Sequence, residues 1–251
     1  MKLKVITFNI RCADDVPDNI INKRAPRLKK ILDKYDADVI GLQEGTPKWL
    51  IHLENYYSDK YEIFNKFRAE REQESAPILW KKDKFELVKK GYFWLSDTPE
   101  VESKDWDEVY DCYRMCSYVI LKEKESGKLF TYMNTHFGFG DKGQVASTEL
   151  IYKYSHEISS YPTFITGDFN MTPDTPAYKK MTEYFTDVNA VTAKDWNTTY
   201  HGYDLNYPKK EHIDYCFIDS QIKPIDSSVI YDLVDGKFAS DHYGIQFLLE
   251  I

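Results

Sequence analysis

The chain predicts a mixed α/β fold, built as a single domain over residues 1–251. Short apolar runs of strand length recur from Lys2-Leu3-Lys4-Val5 to the closing Tyr243–Leu249, with segments of helical apolar spacing between them. Strand runs outnumber helical ones and fall into two similar halves without an exact internal repeat. Several runs end in Asn, Gln-Glu, His or Asp, the place where open α/β sheets keep their ligands. No polar, Pro/Gly-rich linker divides the sequence.

Lys2 to Phe8 alternates and then turns continuously apolar, as a strand does when both its faces become buried. A polar loop from Arg11 to Asn22 follows. Arg27 to Tyr35 places Leu28, Ile31, Leu32 and Tyr35 on one helical face. The strand Asp38–Leu42 leads to Thr46-Pro47, a cap and first-turn pair for a helix reaching Asn55. Tyr61–Phe64 and Pro77–Trp80 read as strands around the charged stretch Arg68–Glu74, which reads as a solvated loop. Phe85–Val88 and Tyr92–Leu95 precede an acidic connection ending at Glu108. Tyr113–Leu121 and Lys128–Asn134 flank the hairpin turn Glu125-Ser126-Gly127. Val145–Ser159 reads as a helix with Leu150, Ile151, Tyr154 and Ile158 inward. Asp174-Thr175-Pro176 caps another, with Ala177, Tyr178, Met181 and Phe185 on its inner face. Ile213–Ile218, Ser227–Leu233 and Tyr243–Leu249 close the chain as strands.

A hydrophobic fraction of 42%, with 16% aromatic residues, supplies a sizeable core. The net charge of -8 opposes a protein that coats nucleic acid through a broad basic surface, which requires many phosphate contacts. Cys12, Cys112, Cys116 and Cys216 have no zinc-like spacing, and reduced thiols are expected. The start does not match a signal peptide, and no run approaches membrane-spanning length, so a cytoplasmic protein is expected. Nothing in the sequence specifies a protein partner.

The chemistry centres on Thr163-Phe164-Ile165-Thr166-Gly167-Asp168-Phe169-Asn170, an apolar run ending in a carboxylate and a carboxamide. Two residues apart, Asp168 and Asn170 share a face. Such a pair suits taking a proton from water and steadying an oxyanion, although an Asx-type turn uses the same residues. Comparable ends are Phe8-Asn9, Leu42-Gln43-Glu44 and Asn134-Thr135-His136, followed by Ile213-Asp214-Tyr215 and Ser240-Asp241-His242. In this order the six motifs resemble the endonuclease/exonuclease/phosphatase superfamily of metal-dependent phosphoesterases. In motif style they are closest to its deadenylase and nocturnin-like branch.

The resemblance implies a four-layer sandwich, two face-to-face β-sheets flanked by helices, with the catalytic groups at one rim. It implies in-line attack of water on a phosphate ester, assisted by magnesium, with manganese as a substitute. Glu44 is then the principal metal ligand, with Asp241 and Asn9 beside it, since hard divalent ions prefer oxygen donors. Asp168 becomes the general base, and Asn170 stabilises the transition state. His242 donates to phosphate with Asp214 fixing its tautomer, and His136 serves the leaving oxygen or the phosphate. Asn9, Arg11, Arg114 and Asn134 are the expected substrate contacts.

Two departures stand out. Many relatives carry a carboxylate where this chain has Arg11, which suggests a contact with an anionic substrate instead. Many with the Asn-Thr-His motif continue with Asp-His, where this chain has Gly138-Phe139. The leading expected activity is exonuclease-like cleavage of nucleic-acid phosphodiesters, on short single strands, with Trp94, Tyr113 and Arg114 approaching a base and its phosphate. The alternative within the same chemistry is a phosphatase or phosphodiesterase for a small metabolite or lipid headgroup. A non-catalytic binding module is a third reading, opposed by the joint presence of Glu44, Asp168, Asn170, Asp214 and His242.

Overall fold

Two six-stranded sheets stack face to face in the computed structural model, which describes residues 1–104, 106–193, 198–204, 206–207 and 211–251. The first sheet contains β1 (Lys2–Asn9), β2 (Val39–Gln43), β3 (Tyr61–Phe64), β4 (Ile78–Lys81), β11 (Lys223–Ile230) and β12 (Gly244–Glu250). Its order is β11-β12-β1-β2-β4-β3. The second contains β5 (Phe85–Trp94), β6 (Met115–Glu123), β7 (Leu129–His136), β8 (Thr163–Asp168), β9 (Thr186–Asp187) and β10 (Asp214–Ile218). Its order is β5-β6-β7-β8-β10-β9. The pairs β1/β2 and β7/β8 are parallel, and the other described pairings are antiparallel.

Alternation along each strand builds the layers. In β1, Leu3 and Val5 enter a core shared with Val39 and Trp80 of their own sheet and Leu121, Phe130, Tyr132, Phe164 and Cys216 of the other. Ile6 and Phe8 face outward, under α1 (Ile21–Tyr35) and α2 (Pro47–Tyr57), against Leu28, Ile31, Leu32 and Trp49. On the far side Met133, Ile165 and Phe217 pack against Ile151 of α3 (Asp141–Ile158) and against Ala177 and Met181 of α4 (Pro176–Tyr184). A short helix α5 (Val188–Thr192) completes the described elements. The expected four layers are therefore present. Gly41 lets the sheets approach: a Cβ there would lie 2.1 Å from Tyr132 Oη.

Some boundaries differ from the sequence expectation. The first helix begins at Ile21, not Arg27, and includes Pro26. Its start is held by Asp14, whose Oδ1 accepts from Ile21 N at 2.6 Å, a contact invisible to local reading. The runs expected at 85–88 and 92–95 merge into a single strand β5 that ends at Trp94, with an irregularity between Leu87 and Lys89. The strand predicted from Tyr113 begins at Met115, and α3 begins at Asp141. The caps at Thr46 and Thr175 form as expected, each accepting from a backbone N–H in the first turn. All four cysteines are free thiols. Asp105, inside the expected acidic connection, lies outside the described residues. Among the described residues no helix is long and apolar enough to cross a membrane.

Candidate active site

Strand direction explains why distant motifs meet. The parallel strands β1 and β2 end at one rim in Asn9 and Gln43, which are register partners, and Glu44 follows. The parallel strands β7 and β8 end at the same rim in the paired His136 and Asp168. The antiparallel β10 begins there, with Asp214 opposite Asp168. The segment entering β12 brings Asp241 and His242. These ends surround a cleft of about 580 Å³.

Asn9 ties the sheets together across this rim. Its Nδ2 donates to Glu44 Oε1 and Asp168 Oδ2, both at 2.9 Å, while its Oδ1 accepts from Arg11 N at 3.0 Å. Fully buried and so engaged, Asn9 orients the two carboxylates and does not line the cleft, contrary to its expected role as a ligand or substrate contact. Arg11, Glu44 and Asn170 follow their strands with φ of 60, 63 and 48°. Such backbone in non-glycine residues costs on the order of 1–3 kcal/mol each and persists where surrounding contacts over-determine it.

Asp168 lies between two imidazoles, 3.6 Å from His136 Nε2 and 3.7 Å from His242 Nε2. Burial and the nearby Asp214 raise its pKa, against the opposing pull of both histidines and Asn9. His242 Nδ1 donates to Asp214 Oδ2 at 2.9 Å. Burial alone would lower this imidazole's pKa, but Asp214, Asp168 and Asp241 push it up to about 10, favouring its cationic form. Asn170 donates from its backbone to Asp168 Oδ1 at 3.0 Å and from Nδ2 to Phe137 O at 2.9 Å. Tyr200 and His242 pack in a T-shaped arrangement, with centroids 5.1 Å apart.

Glu44 keeps its charge at depth. Burial opposes ionisation, but His136, the Cys12 N–H and Asn9 hold its carboxyl well below the usual range. Asp241 is raised instead, by burial and by Glu44, and His242 and Arg11 counter only part of that shift. Arg11, Arg68 and Arg114 face five carboxylates, Glu44, Glu74, Asp168, Glu211 and Asp241, along the cleft wall. An oxygen-rich site with excess negative charge suits a hard divalent cation, which would also make it receptive to phosphate.

Two other expectations change. Asn134 donates to Leu42 O (2.7 Å) and Pro77 O (3.1 Å) and accepts from Gln43 Nε2 (2.8 Å) and Thr166 Oγ1 (3.0 Å). All its amide capacity is spent between the sheets, so it is not a substrate contact. Trp94 is buried and donates to Arg68 O at 2.7 Å, so it offers no stacking platform. Arg114 does line the cleft, 4.0 Å from Glu74 and 3.9 Å from Asp107. Tyr113 does not line it; Tyr110, Phe139 and Tyr200 do.

The charged stretch read as solvated supplies a site residue. Glu74 Oε1 lies 3.5 Å from His136 Nδ1, and Glu74 Oε2 accepts from Arg68 Nη2 at 2.7 Å. Glu74 thus faces the Nδ1 nitrogen of His136, at a longer distance than the 2.9 Å hydrogen bond from His242 to Asp214. Bridges from Ser75 to Gly45 and Phe67 fold this loop over the rim. Nothing local distinguishes Glu74 from neighbouring Glu70 and Glu72.

A family model described as "Endonuclease/Exonuclease/phosphatase family" matches residues 6–242. No curated protein matches the chain. Among solved structures, an endonuclease/exonuclease/phosphatase family protein from Bacteroides thetaiotaomicron is 27% identical with TM-score 0.92, the match covering 99% of this chain and 97% of that one. A mannosyl-6-phosphatase from Bacteroides thetaiotaomicron is also 27% identical, with TM-score 0.88, covering 99% of this chain and all 100% of that one. TDP2 from D. rerio, complexed with a single-strand DNA product, is 18% identical with TM-score 0.79, covering 100% and 99% respectively, and supports the fold alone.

Proposed function

The chain belongs to the endonuclease/exonuclease/phosphatase family, and from that premise we propose that it is a divalent-metal-dependent phosphoesterase acting on a small phosphorylated metabolite, a sugar phosphate in particular. The observation that carries the substrate reading is the cleft itself. Its volume of about 580 Å³ suits a small ligand, and aromatic Tyr110, Phe139 and Tyr200 share its wall with Glu74 and Glu211. Aromatic faces pack on the C–H faces of a sugar ring, and carboxylates accept from its hydroxyls. The same carboxylates repel a polyanionic strand, in keeping with the net charge of -8. The mannosyl-6-phosphatase relative points the same way.

In this reading Glu44 and Asp241 hold the ion, which when bound polarises the phosphate and offsets its charge. Asp168 accepts the proton of the attacking water, its raised pKa bringing it closer to the range useful for a base. Cationic His242 donates to a non-bridging oxygen, and Asn170 supports the same developing charge. His136, oriented by Glu74, protonates the leaving oxygen.

A second reading is oligonucleotide cleavage, favoured by the Asn134-Thr135-His136 motif. Matched assays on a sugar 6-phosphate, a short RNA and a short single-stranded DNA, with and without magnesium, separate the two. Magnesium-dependent release of inorganic phosphate from the sugar, with both oligonucleotides intact, is expected. Oligonucleotide cleavage with the sugar phosphate untouched would replace this proposal with the nuclease reading.

A further inference from the structure

Arg11 is held at many points for a side chain about a third exposed. Its backbone, at φ 60°, donates to Asn9 Oδ1 at 3.0 Å. Its carbonyl accepts from Arg24 Nη2 at 2.9 Å and from Trp49 Nε1 at 2.8 Å. Arg24 is itself fully buried and lies over the Trp49 ring at 5.1 Å. These contacts fix the direction in which the Arg11 side chain leaves β1.

That direction leads to the carboxylates assigned to the metal. Arg11 Nε lies 3.5 Å from Asp241 Oδ2, and Nη1 lies 3.9 Å from Glu44 Oε2. On the outer side Nε and Nη2 donate to Asp15 at 3.3 and 3.2 Å. A guanidinium and a divalent ion cannot both neutralise Glu44 and Asp241 at full strength, because the two cations repel. The guanidinium is the movable partner, since its contacts with Glu44 and Asp241 are longer than hydrogen bonds and about a third of its side chain is exposed.

We propose that Arg11 is the resident counter-ion of the metal site: it neutralises Glu44 and Asp241 in the metal-free protein, yields them to the incoming ion, and is then free to hold the substrate's phosphate in the cleft that it lines. The proposal rests on the metal-dependent reading above. It makes metal and phosphate binding mutually reinforcing, because ion binding releases the group that grips the anion. The anionic contact expected of Arg11 then belongs to the metal-loaded protein.

Calorimetric titration with Mn2+, followed by inorganic phosphate, tests this on wild type, Arg11→Gln, Arg11→Lys and Glu44→Gln. Arg11→Gln is expected to bind Mn2+ about three- to tenfold more tightly, the range for losing two partly exposed ion pairs. Its phosphate affinity in the presence of Mn2+ should fall about tenfold or more through loss of the charged fork. Arg11→Lys, retaining the charge, should bind Mn2+ within about twofold of wild type.

A second readout requires only wild-type protein with Arg11→Lys for assignment. The Arg11 Nε–H NMR resonance should shift as Mg2+ is added. Unchanged or weaker Mn2+ binding by folded Arg11→Gln, or an Arg11 resonance indifferent to Mg2+, overturns the proposal. Mn2+ binding by Glu44→Gln as tight as wild type would instead overturn the metal-site reading beneath it.

Discussion

Asp168→Asn is expected to lower turnover by about 10²–10⁴, the usual cost of removing a general base, with the fold intact. The substitution is nearly isosteric, and the amide oxygen can still accept from Asn9, which donates to Asp168 Oδ2 at 2.9 Å. A modest stability loss of about 1–3 kcal/mol should accompany it, because an amide here must turn its NH2 toward either Asn9 Nδ2 or the Asn170 N–H, while relief of the charge raised by burial and by Asp214 offsets part of that loss. Asp214→Asn should be less severe, since Asp214 acts through His242 by orienting and charging it. Turnover numbers and urea melts on the same preparations decide both points. Near-normal turnover by Asp168→Asn would assign the base elsewhere.

Glu44→Gln should raise the magnesium requirement for activity by at least about 10–100-fold, the loss found when even outer-shell partners of a metal are removed. Glu44 accepts from Asn9 Nδ2 through Oε1 at 2.9 Å and from the Cys12 N–H through Oε2 at 2.7 Å. An amide group must turn its NH2 toward one of these donors. A modest stability loss of about 1–3 kcal/mol should therefore accompany the metal effect. Activity titrated against magnesium, alongside thermal melts, separates the two contributions. An unchanged magnesium requirement would remove Glu44 from the metal site.

The rim was legible because chemistry sits where apolar runs stop. Asn9, His136, Asp168 and Asp214 each close or open a strand and Glu44 directly follows one, and parallel and antiparallel pairing carries them to one edge. The same reasoning failed for Asn134. It lies two residues inside β7, about 7 Å along the strand from the rim at the usual rise per residue, where its hydrogen bonds join the sheets. Trp94 looked available because exposure is not encoded in a local run of aromatics. Glu74, Arg24 and Asp15 were missed for a different reason. Each owes its role to partners distant in sequence or to loop geometry, such as Glu74 with His136 and Arg24 with the loop after β1.

The assignment of a water-attacking phosphoesterase is tested most directly by hydrolysing a sugar phosphate in water enriched in oxygen-18 and locating the label by mass spectrometry. One labelled oxygen is expected in the released phosphate and none in the sugar, because Asp168, between His136 and His242, would direct water to phosphorus in the proposed mechanism. Label in the sugar hydroxyl, with unlabelled phosphate, would mean carbon–oxygen cleavage and would contradict it.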